Sequence, residues 1–402
     1  MPRTIDFWFD YSCPFAYLAS TQIEAIAERS GAALTWQPML LGGVFRALGT
    51  AQNLSEVLSP PKTAHNNADM LRWAEVWNVP LRKPAAHPMR TVEALRATLA
   101  TGIDPAVVHG FYRAYWVEGR PPSAPDTLRD VLTRAGHNAD AVLARIGDDV
   151  IRDDLRSRTD RAIALGVFGA PACIVDGERL VWGQDRLHFV EGVSLDRAYP
   201  RPEGSATMPH TLEIYWDFSS PFSYLGCTQA EALAKRTGAT LVWRPMLLGA
   251  VFKAIAQQEV PLFTWADAKK KFYFDDMNRW AEYWGVPFKF PSTFPVNTVK
   301  ALRLYLALPE AQRGPFRDAV MRAYWAEDRD INDDTVLREI LGADADAAFE
   351  KTRTPEGKQA LFEATQRAVD AGVFGAPTWV VDGKELFWGQ DRIVLVERAL
   401  MR

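Results

Sequence analysis

Two short stretches carry the residues most able to do chemistry. "DYSCPFAYLAS" begins at Asp10 and "DFSSPFSYLGC" at Asp217, so Cys13 and Ser220 hold the same place, just before a Pro-Phe pair. Pro favours the first position of a helix, which puts both residues at a helix N-terminus among unpaired N–H groups and partial positive charge. A thiolate is stabilised there, and the Cys13 thiol is expected to ionise below the usual ~8.5. A serine hydroxyl does not ionise, but it can donate a hydrogen bond to an anion held at the same helix end. Both positions would then tend a sulfur anion: the protein's own at Cys13, a ligand's at Ser220. The plainer alternative makes Cys13 a small buried apolar residue and Ser220 a helix cap. Of the three cysteines, Cys13 is expected to be the most reactive, since Cys173 falls in a core strand and Cys227 on a helix.

"WGQDR" occurs at Trp182 and again at Trp388. Gln184-Asp185 and Gln390-Asp391 open a final helix. They either cap it or present a carboxylate to a ligand's ammonium group. Trp182 and Trp388 read as core. The six histidines are His65, His87, His109, His137, His188 and His210, and none follows His210. A Ser-His-Asp triad or a histidine metal site therefore cannot be built from the second half alone.

The elements that position these residues also come twice. "WQPMLLGGVFRA" at Trp36 matches "WRPMLLGAVFKA" at Trp243, and "RWAEVWNVP" at Arg72 matches "RWAEYWGVP" at Arg279, each 207 residues on. The offset becomes 209 at "RAYW" and 206 at "GVFGAP" and "WGQDR", so small insertions lie in the middle of the repeat. A repeat this long is a duplicated domain rather than a solenoid unit. Residues 1–198 and 211–402 form the two copies. The linker is 199–210, "YPRPEGSATMPH", rich in Pro, Gly and Ser.

Within each copy the pattern predicts a strand ("TIDFWFD"), a helix stopping at Gly31 and a second strand ("ALTWQPM"). A helical stretch follows from about 60 to 165. Two short strands then flank Asp176-Gly177, a hairpin signal, before a last helix near Asp185. This order, β-α-β, helical insert, β-β-α, is an α/β thioredoxin fold with an all-helical insertion, present in tandem. In such folds a cis-proline faces the helix start. Pro171 and Pro377, after Ala170 and Ala376 in the two "FGAP" motifs, take that place. X-Pro bonds are usually trans, and a trans proline opening a strand is the alternative.

Composition adds exclusions. Of 402 residues 48% are hydrophobic and 24% charged, and the net charge is −4, which favours neither a nucleic-acid partner nor a membrane surface. Three cysteines without a C-x-x-C, and an N-terminus that enters strand-like alternation at once, lead us to expect a reducing, cytoplasmic setting without a leader peptide.

Together, S/C-P-F-x-Y-L, "GVFGAP", "WGQDR" and a helical insert carrying "RWA" resemble the 2-hydroxychromene-2-carboxylate isomerases. These are relatives of kappa-class glutathione transferases in the DsbA-like branch of the thioredoxin superfamily. The resemblance implies that Ser220 hydrogen-bonds a glutathione sulfur, a role from which Cys13 departs. It implies that Ala170 and Ala376 pair with the glutathione backbone beside Pro171 and Pro377. The γ-glutamyl end would fall to Gln184 with Asp185 and to Gln390 with Asp391. A lysine ahead of "RWA" also contributes in the family, and Lys62 and Lys269 match it, with a solvated surface role as the alternative. His65 stands where the second copy has Phe272, and Arg90 where it has Asn297.

The reaction implied is cis–trans isomerisation of an aromatic pyruvate-like substrate by reversible thiolate addition, or a related glutathione transfer, with glutathione as cofactor and the complete site in the second half. The alternatives are a thiol–disulfide oxidoreductase or monothiol deglutathionylase using Cys13, and a non-catalytic binding protein. "CPFA" lacks a resolving thiol, Ala16 standing in its place. Family members are commonly homodimers, so the two copies are expected to form a pseudo-dimer within one chain.

Overall fold

The computed structural model describes residues 3–51, 57–201, 209–256 and 261–402. Two four-stranded sheets are present. In the first, β1 (Thr4–Phe9) runs parallel to β2 (Ala33–Pro38), and β3 (Ala172–Val175) lies antiparallel between β1 and β4 (Arg179–Trp182). In the second, β5 (Thr211–Trp216), β6 (Thr240–Pro245), β7 (Thr378–Val381) and β8 (Glu385–Trp388) repeat that order and those directions.

Local chemistry sets the boundaries. The helix Pro14–Ser30 opens on proline and stops at Gly31, whose φ of 65° is left-handed and whose N–H closes the last turn. Pro221–Thr237 does the same at Gly238. β3 and β4 join through Asp176-Gly177, with φ of 56° and 77°, the positive pair that a tight hairpin turn demands. Asp382-Gly383 repeats it in the second sheet. The last helix of each copy starts later than expected. Gln184–Arg186 and Gln390–Arg392 are single 3₁₀ turns, and the helices Leu187–Glu191 and Ile393–Leu400 follow.

The chain divides into two compact units that depart from the sequence repeats in one respect. The first comprises Met1–Leu58, Asn67–Pro200 and Ala266–Phe272; the second comprises Ser59–Asn66, Arg201–Trp265 and Tyr273–Arg402. The repeats have exchanged a short segment each, at the start of the helices Pro60–Val76 and Asp267–Trp284. The packing explains it. In the first unit Phe272 covers Phe168 and Trp182, with ring centres 5.4 and 6.0 Å apart. In the second, His65 packs on Phe374 and Trp388. Tyr199, expected to open the linker, is instead buried against Trp73 and Trp77. Linker residues 202–208 lie outside the described residues. No helix among the described residues is long and apolar enough to cross a membrane.

Candidate active site

In the second unit the site starts from a buried carboxylate. Asp217 accepts the backbone N–H groups of Ser219 (3.0 Å) and Leu248 (2.7 Å), tying the turn after β5 to the end of β6. The Asp217 carbonyl then receives the Ser220 N–H at 3.3 Å. Ser220 is the N-cap of Pro221–Thr237. Its Oγ accepts the Ser223 N–H at 3.1 Å and donates its proton to the Ala376 carbonyl at 3.0 Å. The Ala376–Pro377 bond is cis. The helix start and the cis-proline peptide therefore face each other, as the motifs led us to expect.

The first unit builds the same frame around sulfur. Asp10 accepts from Ser12, Leu41 and Thr91, and its carbonyl takes the Cys13 N–H. The Cys13 Sγ reaches the Ala170 carbonyl at 3.0 Å, and Ala170–Pro171 is cis. Here the expectation of a thiolate fails. Burial pushes the Cys13 thiol from 9.0 up to about 12, while the N–H groups of Ala16 and Phe15 pull weakly the other way. The sulfur makes no cap bond and serves as a neutral donor. Burial holds Cys173 and Cys227 at about 12 as well, so nothing in acidity singles Cys13 out. Asp10 and Asp217 are also pushed above the usual carboxylate range by burial, against the hydrogen bonds that favour their charge.

The "FGAP" and "WGQDR" motifs need each other. A Cβ on Gly169 would lie 2.7 Å from the Trp182 Nε1, and one on Gly375 would meet the Trp388 indole even more closely. Both tryptophans are half-buried and lie over that peptide rather than deep in the core. Gly183 and Gly389 follow with φ of 103° and 109°, and the turn brings the Asp185 and Asp391 carboxylates back over them. Asp185 pairs with Arg186, and Asp391 with Arg392, each at 2.9 Å. Gln184 is buried. Gln390 is 2% exposed, and its Nε2 has no hydrogen-bond partner among the described residues.

The two lysines sit with the opposite copy's turn. Lys62 belongs to the second unit, with its Nζ 4.9 Å from the Trp388 ring centre. It makes no salt bridge among the described residues, and burial lowers its pKa. Lys269 belongs to the first unit, with Cys13. Next to Lys62 on its helix, His65 is buried, and its Nε2 accepts the Trp388 backbone N–H at 3.0 Å. The sequence reading missed the pinning role of Asp10 and Asp217, although their recurrence in both frames was the available signal. It also missed the place of His65, for which no local signal exists.

A model of the DSBA-like thioredoxin domain matches residues 4–193 and 211–401. The chain belongs to this family. It carries the domain twice, and each curated relative matches about half of it. The 2-hydroxychromene-2-carboxylate isomerase of Sphingobium xenophagum is 36% identical over 197 residues, 48% of this chain and 100% of that protein. The Pseudomonas putida protein of the same name is 30% identical over 48% of this chain and 94% of its own length. Human glutathione S-transferase kappa 1 is 28% identical over 48% of this chain and 92% of its length. Among solved structures, a 2-hydroxychromene-2-carboxylate isomerase aligns at 26% identity and TM-score 0.42, covering 47% of this chain and 93% of that one.

Proposed function

We propose that the protein is a glutathione-dependent cis–trans isomerase of the 2-hydroxychromene-2-carboxylate isomerase type, or a closely related kappa-like transferase, working from its second unit. The observation that carries this reading is the Ser220 hydroxyl, fixed by the Ser223 N–H at a helix start and aimed at the peptide before a cis-proline. Two further features fit a tripeptide thiol. Among the described residues, the Gln390 Nε2 is a buried donor without a partner, and Lys62 is a half-buried cation without a carboxylate.

Bound glutathione would supply a thiolate that adds to a conjugated enone and leaves again after the bond has rotated. The protein's part is positional and electrostatic. Ser220 turns its proton from the Ala376 carbonyl toward the sulfur, holding the thiolate. The freed carbonyl and the extended backbone at Ala376–Pro377 pair with the peptide. Gln390, beside Asp391, donates to the γ-glutamyl end. Lys62 offsets negative charge near Trp388. The identities of the relatives support this direction. The alternative centred on Cys13 gains little support from a thiol that burial keeps protonated.

Glutathione titration of the full chain, with the bound thiol's ionisation followed by ultraviolet absorbance, tests the reading. Ser220→Ala should cost about 0.5–3 kcal/mol of thiolate stabilisation, the span between neutral and charge-assisted hydrogen bonds, and raise the bound thiol's pKa. An unchanged thiol pKa would leave Ser220 as a helix cap only.

A further inference from the structure

The two units keep the same scaffold around the Cys13 and Ser220 turns but line it differently. In the second unit Trp325 donates its indole N–H to the Phe218 carbonyl at 2.8 Å, and the Tyr224 hydroxyl reaches the Pro287 carbonyl at 2.7 Å. In the first, Trp116 bonds the Tyr11 carbonyl at 2.8 Å and Tyr17 bonds the Pro80 carbonyl at 2.8 Å. The loop that follows carries a cis proline in each, His87–Pro88 and Phe294–Pro295, which fixes the correspondence of the positions between.

On this common scaffold three paired positions differ in kind. The second unit has Phe274 and Phe290 in edge-to-face contact, ring centres 4.8 Å apart, with Phe294 5.0 Å beyond. At the matching positions the first unit has Asn67, hydrogen-bonded to Lys83 at 3.1 Å, and His87, bound through Nδ1 to the Tyr115 hydroxyl. The three phenylalanines are half-buried rather than core, so ring surface stays open. Phe290 and Phe294 also pack on Trp325, whose N–H holds the peptide two residues before Ser220. Phe222, two residues after Ser220, meets Tyr273, which lies tilted against Trp265 with ring centres 4.5 Å apart. The Ser220 turn is thus flanked by open aromatic surface in a region where the first unit is polar.

We propose that Phe274, Phe290 and Phe294 form the acceptor-binding wall of the Ser220 site, taking the flat ring of a small aromatic carboxylate. Asn67, Lys83 and His87 deny that wall to the first unit. Planar rings gain from edge and face contacts with such side chains beyond simple burial. Divergence between the copies has thus produced one aromatic-acceptor site per chain. The inference builds on the reading of Ser220 as the thiol-handling residue, but the test reads acceptor binding separately.

The experiment is equilibrium dialysis of naphthoate against the full chain, with glutathione affinity measured in parallel. The expected result is one naphthoate per chain. The double variant Phe274→Asn, Phe290→Lys, which copies the first unit, should weaken naphthoate about tenfold or more and leave glutathione affinity unchanged. Phe290→Leu keeps the apolar volume and should weaken naphthoate severalfold, so the test survives if the double variant misfolds. Two equal naphthoate sites, unchanged affinity in either folded variant, or equal loss of naphthoate and glutathione would each overturn the proposal. Absence of glutathione binding by the unmodified chain would sink the proposed function while leaving the naphthoate result to decide the wall.

Discussion

At one pair of residues, sulfur replaces oxygen and the local chemistry inverts. The Ser220 Oγ is both acceptor and donor, so it caps its helix while reaching Ala376. The Cys13 Sγ is a poor acceptor: it makes no cap bond, and among the described residues its hydrogen bond is the one to Ala170. The helix start offers it two N–H groups, but burial, with Tyr112 and the Ala170 carbonyl nearby, costs the thiolate more than they return. This has a pH signature. The folded thiol titrates near 12 and the unfolded one near 9.0, so above 9.0 the unfolded chain sheds a proton that the folded chain keeps. Stability from this group is complete below 9.0 and is lost as pH rises toward 12. Denaturant unfolding at several alkaline pH values should show a steeper fall for the unmodified protein than for Cys13→Ser. Parallel curves would mean that Cys13 ionises as freely folded as unfolded.

Elements show where sequence reading succeeds and where it stops. The strands, the Pro-to-Gly helices and the Asp-Gly hairpins were legible because each is set by neighbours in sequence: a fixed φ at Pro14, a left-handed cap at Gly31, a positive-φ pair at Asp176-Gly177. The coupling of "FGAP" to "WGQDR" was not, because it is a contact between β4 or β8 and the peptide before β3 or β7. Gly375 is required by Trp388, not by its own backbone angles. Gly375→Ala should therefore displace the indole, shift Gln390 and Asp391 with it, and cost about 1–3 kcal/mol as overpacking does. Thermal unfolding and glutathione titration check this together. A variant with parental stability and affinity would show that Trp388 can move without consequence.

For the whole molecule, the exchange of Ser59–Asn66 and Ala266–Phe272 changes which residues share a unit. Helical periodicity tells which face of Pro60–Val76 is apolar. It does not tell which copy's aromatic shelf that face will cover, so Lys62 reads from sequence as a companion of Cys13. In the folded chain Lys62 and His65 stand at Trp388, in the unit of Ser220, and Lys269 is in the unit of Cys13. On the proposed function the two copies are then crossed: a change at Lys62 in the first copy's sequence would alter the site of the second unit. Lys62→Met, which keeps an apolar stem over Trp388, should lower glutathione affinity about tenfold, the scale of one charge-assisted bond. Lys269→Met should leave affinity at the Ser220 site within about twofold of the parent, because Lys269 belongs to the unit of Cys13. Titrating both single variants in the full chain, with and without Ser220→Ala, decides the matter. If Lys269→Met produces the loss and Lys62→Met does not, the site follows the sequence repeat and the crossing has no functional weight. If Lys62→Met and Ser220→Ala are non-additive while Lys269→Met and Ser220→Ala add simply, the cation and the hydroxyl act on one bound thiol.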